Sequence, residues 1–309
     1  MIITSFKSGL SLMWQNKRLV WIYFSVNFGL TLLIALPLRT TLSDFAGHSL
    51  MTAETARRLD LDFLFEFFKY NKNFHYGFLI LVVLIFSGYW MFNLFLSGGV
   101  MAVFAKRQPY SPALFWGQAA RFFGRFFRLL LLGIPLFALL FSLQFLVTAV
   151  ERTLFGRDPY EYITYWGDWL RFALRGLILL LFGMILDYAR IHLVFSDGQY
   201  ASVALWQAMK LVFRKIVRTL GLKLALVAGG LLALGVYLLI ASWLSAPYAV
   251  VAGLLFLWQQ TYLFFRMMLR LTLYASEIQL YVKLTAESQP TIVTFTGEMD
   301  SEGLLPDYS

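Results

Sequence analysis

The chain reads as an all-α, polytopic membrane protein, and three observations carry that reading. Of its 309 residues 60% are apolar and 14% charged, with a mean hydropathy of +0.69, a balance outside that of soluble domains. Aromatic residues number 56 (31 Phe, 16 Tyr and 9 Trp), more than a soluble core of this size holds, so most are expected at lipid or at the membrane interfaces. Apolar runs of about 20 residues, enough to cross roughly 30 Å of hydrocarbon as a helix, occur six times. A soluble enzyme is excluded, and with no cysteine so are disulfides, thiol nucleophiles and Cys-ligated metals.

The six spans are expected near 19–38, 77–103, 129–150, 172–195, 222–244 and 248–273, within a single integral membrane domain, 1–283. Lys17, Arg18 and Arg39 bound the first. The long segment ahead of it, with no small-x-small cleavage site following, favours a retained helix over a signal peptide. The second and third carry no charge, whereas the fourth has Arg175 near one end and Asp187, Arg190 and His192 near the other. From Leu224 to Phe265 no charged residue occurs over 42 positions. That is too long for one span, and Ser245-Ala246-Pro247 supplies the break between the fifth and sixth.

The connecting segments have their own characters. Leu61-Asp62-Phe63-Leu64-Phe65-Glu66-Phe67-Phe68 is too short and too charged to span, and is expected to lie on the outer surface as an interfacial helix. Tyr160, Tyr162, Tyr165, Trp166 and Trp169 have the composition of an interfacial aromatic belt. Residues 284–309 hold five acids and no base, so a disordered acidic cytoplasmic tail is expected, with Thr291-Ile292-Val293-Thr294-Phe295 as its one β-prone stretch.

Charge sets the orientation. Segments 1–18, 106–128, 187–223 and 266–309 hold 17 of the 26 basic residues and 8 acids, net +9; segments 39–75 and 151–175 hold 9 of each, net zero. Both termini are therefore expected in the cytoplasm. Anionic lipid of that leaflet is the expected partner of the basic face, at about 1 kcal/mol per Lys or Arg. No groove-reading module is present, so nucleic acid is not expected.

A threefold internal repeat is expected as well. A shift of 89 places Gln118-Ala119-Ala120-Arg121 on Gln207-Ala208-Met209-Lys210 and Arg125 on Arg214, with Trp116 and Trp206 just upstream. Trp14-Gln15-Asn16-Lys17 is a weaker echo. A shift of 80 places Ala189-Arg190 on Leu269-Arg270 and Ser196-Asp197 on Ser276-Glu277, and a shift of 91 puts Gly99 where Arg190 stands. The unit is a two-helix hairpin preceded by a cytoplasmic amphipathic helix, giving six transmembrane helices as three hairpins. Arg121, Arg125 and Arg128 form one cationic stripe and Lys210, Arg214 and Arg218 another. Such helices are expected to lie in the interface, apolar side down. Their cations set topology in the plain reading and bind lipid head groups or a partner in the functional one.

Ionisable residues inside spans are expensive and mark candidate sites. Asp187, Arg190, Arg266 and Arg270 form the expected intramembrane polar network, with Asp187 and Arg190 three apart and able to pair. Catalytic motifs are missing: there is no HExxH, phosphate loop or GxSxG, and His48, His75 and His192 are dispersed. Asp60 and Asp62 have no His nearby, so no metal and no cofactor are expected.

Asp187-Tyr188-Ala189-Arg190-Ile191 followed by Ser202, Ala204 and Leu205, together with Phe6-x-x-Gly9-Leu10 and Leu96-Ser97-Gly98-Gly99-Val100, resembles a loose group of uncharacterised bacterial six-span inner-membrane proteins. The layout also resembles the membrane domain that precedes the catalytic barrel of some glycerophosphodiester phosphodiesterases. No barrel follows here, so that activity does not carry over. The resemblance implies a multi-pass protein of the bacterial inner (plasma) membrane with Asp187 and Arg190 as a recurrent polar pair. The function expected is a non-enzymatic scaffold or accessory protein that engages anionic lipid, a membrane-protein partner or a second copy. The alternative is a transporter or permease subunit with a polar pathway through Asp187, Arg190, Asn93 and Gln259 or Gln260.

Overall fold

The computed structural model describes residues 2–47, 69, 72–156, 160–196, 200–244 and 249–288, and these are helical with no strand among them. The interfacial helix expected over 61–68, the Ser245-Ala246-Pro247 break, the stretch 291–295, His48, Asp60 and Asp62 lie outside the described residues, as does the side chain of His75. In chain order the helices are α1 (Ile2–Gln15), α2 (Arg18–Gly47), α3 (Lys72–Lys106), α4 (Pro112–Ser142), α5 (Gln144–Phe155), α6 (Glu161–Phe195), α7 (Ala201–Arg214), α8 (Ile216–Trp243) and α9 (Ala249–Ser288). Among the described residues five stretches are long and apolar enough to cross a membrane: Arg18–Thr41, Tyr76–Lys106, Pro112–Phe155, Glu161–Phe195 and Ile216–Trp243.

Two helices depart from the expected boundaries. The amphipathic segment ahead of the third apolar run is not a separate helix, because α4 begins at Pro112 and runs directly into it. Leu143 then bends the path into α5 through a tight N–H to Leu140 carbonyl bond of 3.2 Å, its backbone staying helical. Helix α9 has 40 residues, about 60 Å at 1.5 Å per residue and twice the hydrocarbon thickness. It continues to Ser288, past the point where the acidic tail was expected to begin.

Three helices run side by side in the same direction and hold the core. Asn93 and Arg107 of α3 meet Arg270 and Gln279 of α9, and His192 of α6 meets Tyr281 of α9. Their final halves carry most of the fully buried apolar side chains, among them Leu96, Met101 and Phe104, Ile185 and Tyr188, Leu271 and Ile278. Helix α8 runs antiparallel to α9, with Tyr237 stacked on Tyr262 and Lys223 near Glu277. Helices α4 and α5 run antiparallel to α6, pairing Phe137 with Phe182 and Gln144 with Arg175.

At this basic end each central helix receives an amphipathic one: α3 packs on the start of α4, α6 on α7, and α9 on α1. The last pairing joins the end of the described chain to its beginning. Small residues permit the approach. A Cβ on Gly99 would lie 2.7 Å from the Phe115 carbonyl oxygen, and one on Gly9 2.6 Å from the Ser276 backbone nitrogen. Asn16, buried between α1 and α2, accepts a 2.8 Å bond from the Tyr110 backbone N–H and so ties this corner to the one before α4.

The amphipathic helices therefore turn their apolar sides to protein rather than to lipid. Ala204, Leu205, Ala208 and Val212 of α7 are buried in the bundle while Trp206 and Phe213 are exposed. Away from the basic end the bundle is open, with Leu84, Leu139, Leu232 and Val250 all more than half exposed. Such a surface needs lipid or a partner to cover it. Replacing Gly9 by Ala is expected to destabilise the folded protein by about 1–3 kcal/mol through overpacking against α9. Gly29→Ala, whose Cβ meets open space, is expected to be neutral or slightly stabilising, and thermal unfolding in detergent compares the two.

Candidate functional site

A layer of ionisable side chains lies where α6, α8 and α9 converge. One face of α8 buries Thr219, Leu222, Lys223 and Leu226, a spacing that aims Lys223 inward with its apolar neighbours. Its ammonium donates to Asp187 at 2.5 Å and lies 3.5 Å from Glu277 of α9. All three side chains are buried, Glu277 almost completely. On α6, one turn beyond Asp187, Arg190 reaches back to the same carboxylate at 3.4 Å. Each charge alone would cost several kcal/mol at this depth, and their mutual attraction offsets that only while the geometry holds.

The second arginine is held differently. Arg270 donates to the Asn93 side-chain oxygen at 2.8 Å and to the Tyr274 hydroxyl at 3.2 Å. Its guanidinium stands 5.7 Å from the Tyr23 ring centre and 5.8 Å from that of Tyr274, within cation–π range. Arg190 lies similarly 5.9 Å from the Phe126 ring. Between these groups is a cavity of about 250 Å³ whose polar lining is Tyr89, Asn93, Arg190 and Arg270 and whose apolar wall includes Leu94, Leu130 and Phe182.

The structure pairs Asp187 with Arg190 and sets Arg190 and Arg270 on one cavity, but Arg266 does not join them. Its side chain is exposed, one turn from Arg270 yet rotated out of the bundle. The residues that sequence reasoning missed are Lys223 and Glu277. Lys223 borders the long uncharged run and reads as a flank, and Glu277 falls beyond the sixth apolar segment. A signal existed in the alignment of Glu277 with Asp197 and in the inward face of α8. Of the residues a polar pathway would use, Asn93 and Arg190 share the cavity, Asp187 is held by Lys223, and Gln259 and Gln260 do not line it.

Four of the six surface cations line two grooves. Arg125 and Arg128 line one of about 510 Å³ together with Tyr200 and Ser202 at the start of α7. Lys210 and Arg214 line another of about 390 Å³ with Lys215 and Trp206. Arg218 instead donates to Glu287 at 2.7 Å, and the Arg121 guanidinium lies 6.0 Å from the Phe122 ring. At the opposite end Arg171 bridges Glu151 and Asp168 at 2.6 and 2.9 Å, beside exposed Tyr162, Tyr165, Trp166 and Trp169.

No family model, curated protein or solved structure matches the chain. The site must therefore be understood from its own geometry. Asp187→Asn removes the negative charge shared by Lys223 and Arg190 and is expected to cost about 3–5 kcal/mol. Asp168→Asn, at a carboxylate 69% exposed, is expected to cost less than about 1 kcal/mol. Tm measurements on the two variants compare a buried charge layer with an exposed pair.

Proposed function

We propose that the chain is a six-span, non-enzymatic protein of a bacterial inner membrane, acting as a scaffold or accessory protein that engages anionic lipid through its basic cytoplasmic face. The observation that carries this reading is the pair of cation-lined grooves at the single basic end of the bundle, one at Arg125 and Arg128, the other at Lys210 and Arg214. Trp206 at 67% exposure beside Lys210 supplies the amphipathic contact an interface favours. Net charge of +9 on that face would draw head groups toward both grooves.

The first part of α9 is the sixth span in this reading. Three parallel units then follow, each a hairpin whose second helix ends against an amphipathic helix, with α9 closing the ring on α1. The pairings α3 with α4, α6 with α7 and α9 with α1 support that symmetry. So does the placement of Arg190 and Arg270, equivalent under the shift of 80, on one central cavity. Parallel units of this kind differ from the inverted repeats common in transporters. A scaffold with a packed cytoplasmic end and an open apolar half suits a role in organising lipid or a partner.

Native mass spectrometry with added phosphatidylglycerol tests the proposal. The wild-type protein is expected to retain at least two of these lipids in preference to phosphatidylcholine. Joint replacement of Arg125, Arg128, Lys210 and Arg214 by Gln is expected to lower the number of phosphatidylglycerols retained by two, one for each groove, while leaving Tm close to that of wild type. Equal retention of both lipids by wild type and variant would overturn it.

A further inference from the structure

The buried charges at the centre of the bundle do not balance. Lys223, Arg190 and Arg270 supply three positive charges, and Asp187 and Glu277 supply two negative ones. Asp187 and Glu277 are both engaged by Lys223, and Asp187 also by Arg190. Arg270 has no carboxylate partner among the described residues; its neighbours are an amide oxygen, a hydroxyl and two aromatic rings. Rings and neutral oxygens offset only part of what removing a guanidinium from water costs. Arg190 is also under-used, because its Nε is buried without a hydrogen-bond partner.

We propose that the cavity between α3, α6 and α9 binds a phosphate group, held by Arg190 and Arg270 with Asn93 beside them. Three features of the site point to this ligand. Two guanidinium groups from different helices line one space of about 250 Å³, and a guanidinium presents its N–H donors in a fork that matches the oxygens of a phosphate. Aromatic faces at Phe126, Tyr23 and Tyr274 lie within cation–π range of the two guanidinium groups and help to set their positions before a ligand arrives. The bound anion would supply the missing negative charge and neutralise the layer as a whole. Apart from Tyr89, the rest of the lining is largely apolar, with Trp90, Leu94, Leu130 and Phe182 among it, and Trp90 is 54% exposed on α3. A phosphodiester carrying acyl chains could thus enter from the bilayer side. This site is separate from the surface grooves and stands whether or not they bind lipid.

The full-length protein in a neutral detergent tests the proposal by thermal shift and native mass spectrometry. Three probes are used: dihexanoyl phosphatidylglycerol, inorganic phosphate, and dihexanoylglycerol, which lacks the phosphate. Wild type is expected to bind one dihexanoyl phosphatidylglycerol beyond those held in the surface grooves, with a raised Tm, and to ignore dihexanoylglycerol. Arg270→Gln is expected to weaken that binding roughly tenfold or more, and Asp168→Asn, at the opposite end of the bundle, is expected to leave it unchanged. Leu130→Trp, which fills the wall without touching an arginine, is expected to block it and decides the matter should Arg270→Gln fail to fold. Stabilisation by inorganic phosphate alone, lost in the same variants, would support phosphate recognition with free phosphate as the source. Stabilisation by the lipid but not by phosphate would make the source a head group. No binding of either phosphate probe to wild type, or equal binding to wild type, Arg270→Gln and Leu130→Trp, would overturn the proposal.

Discussion

Lys223 stands between two carboxylates on two other helices, and the arrangement of α6, α8 and α9 depends on it. In a medium that solvates charge poorly, an ammonium and two carboxylates are tolerable only in one another's company. Asp187 at 2.5 Å and Glu277 at 3.5 Å therefore fix both the rotation of α8 and its height against its neighbours. A turn of α8 by one residue would move Lys223 by about 100°, leaving Glu277 without its cation and Asp187 with Arg190 alone. Arg190 joins the layer through Asp187, and Arg270 is placed beside it by the parallel course of α3 and α9. The cavity exists because these constraints bring two arginines to one place and leave the space between them unfilled.

The distribution of burial follows from the solvent. Lipid tails are as apolar as Leu, so the hydrophobic effect gives helices no reason to associate within the hydrocarbon. Accordingly the apolar stretches bury little of themselves, between 6% and 22% in the candidate spans. Association is instead concentrated at the basic end, where Gly9, Gly98 and Gly99 allow close approach and where polar links tie one hairpin to another. Asn16 to Tyr110 and Arg107 to Gln279 are two such links. The closed contact of α1 on α9 completes the ring and makes the first 15 residues part of the core.

The helical architecture was legible because helices able to cross a bilayer need long apolar runs that a single sequence displays. Long uncharged runs locate helices, and Lys and Arg counts separate the two ends. The finer features were hidden for physical reasons. Helical periodicity places Arg266 and Arg270 about one turn apart, but only the packing of α9 shows that Arg270 faces inward and Arg266 does not. Lys223 borders an uncharged run, where basic residues ordinarily flank spans, so its burial between two acids could be read only from the positions of α6 and α9. The amphipathic helices were recognisable from their cationic stripes, whereas the destination of their apolar faces was not. An apolar stripe is equally suited to lipid and to protein, and here α7 and the start of α4 bury it against the central helices.

The most direct test of this account is a double-mutant cycle between Lys223 and Glu277, read as unfolding free energy in detergent. Lys223→Met leaves Glu277 without its cation and Asp187 with Arg190 alone, and adding Glu277→Gln removes the uncompensated acid. The account requires the second substitution to recover stability in the Lys223→Met background while costing stability in the wild type, a coupling of at least about 1 kcal/mol. Additive effects of the two substitutions would mean that Lys223 and Glu277 do not sense each other, and would contradict the charge layer as the element that sets the bundle.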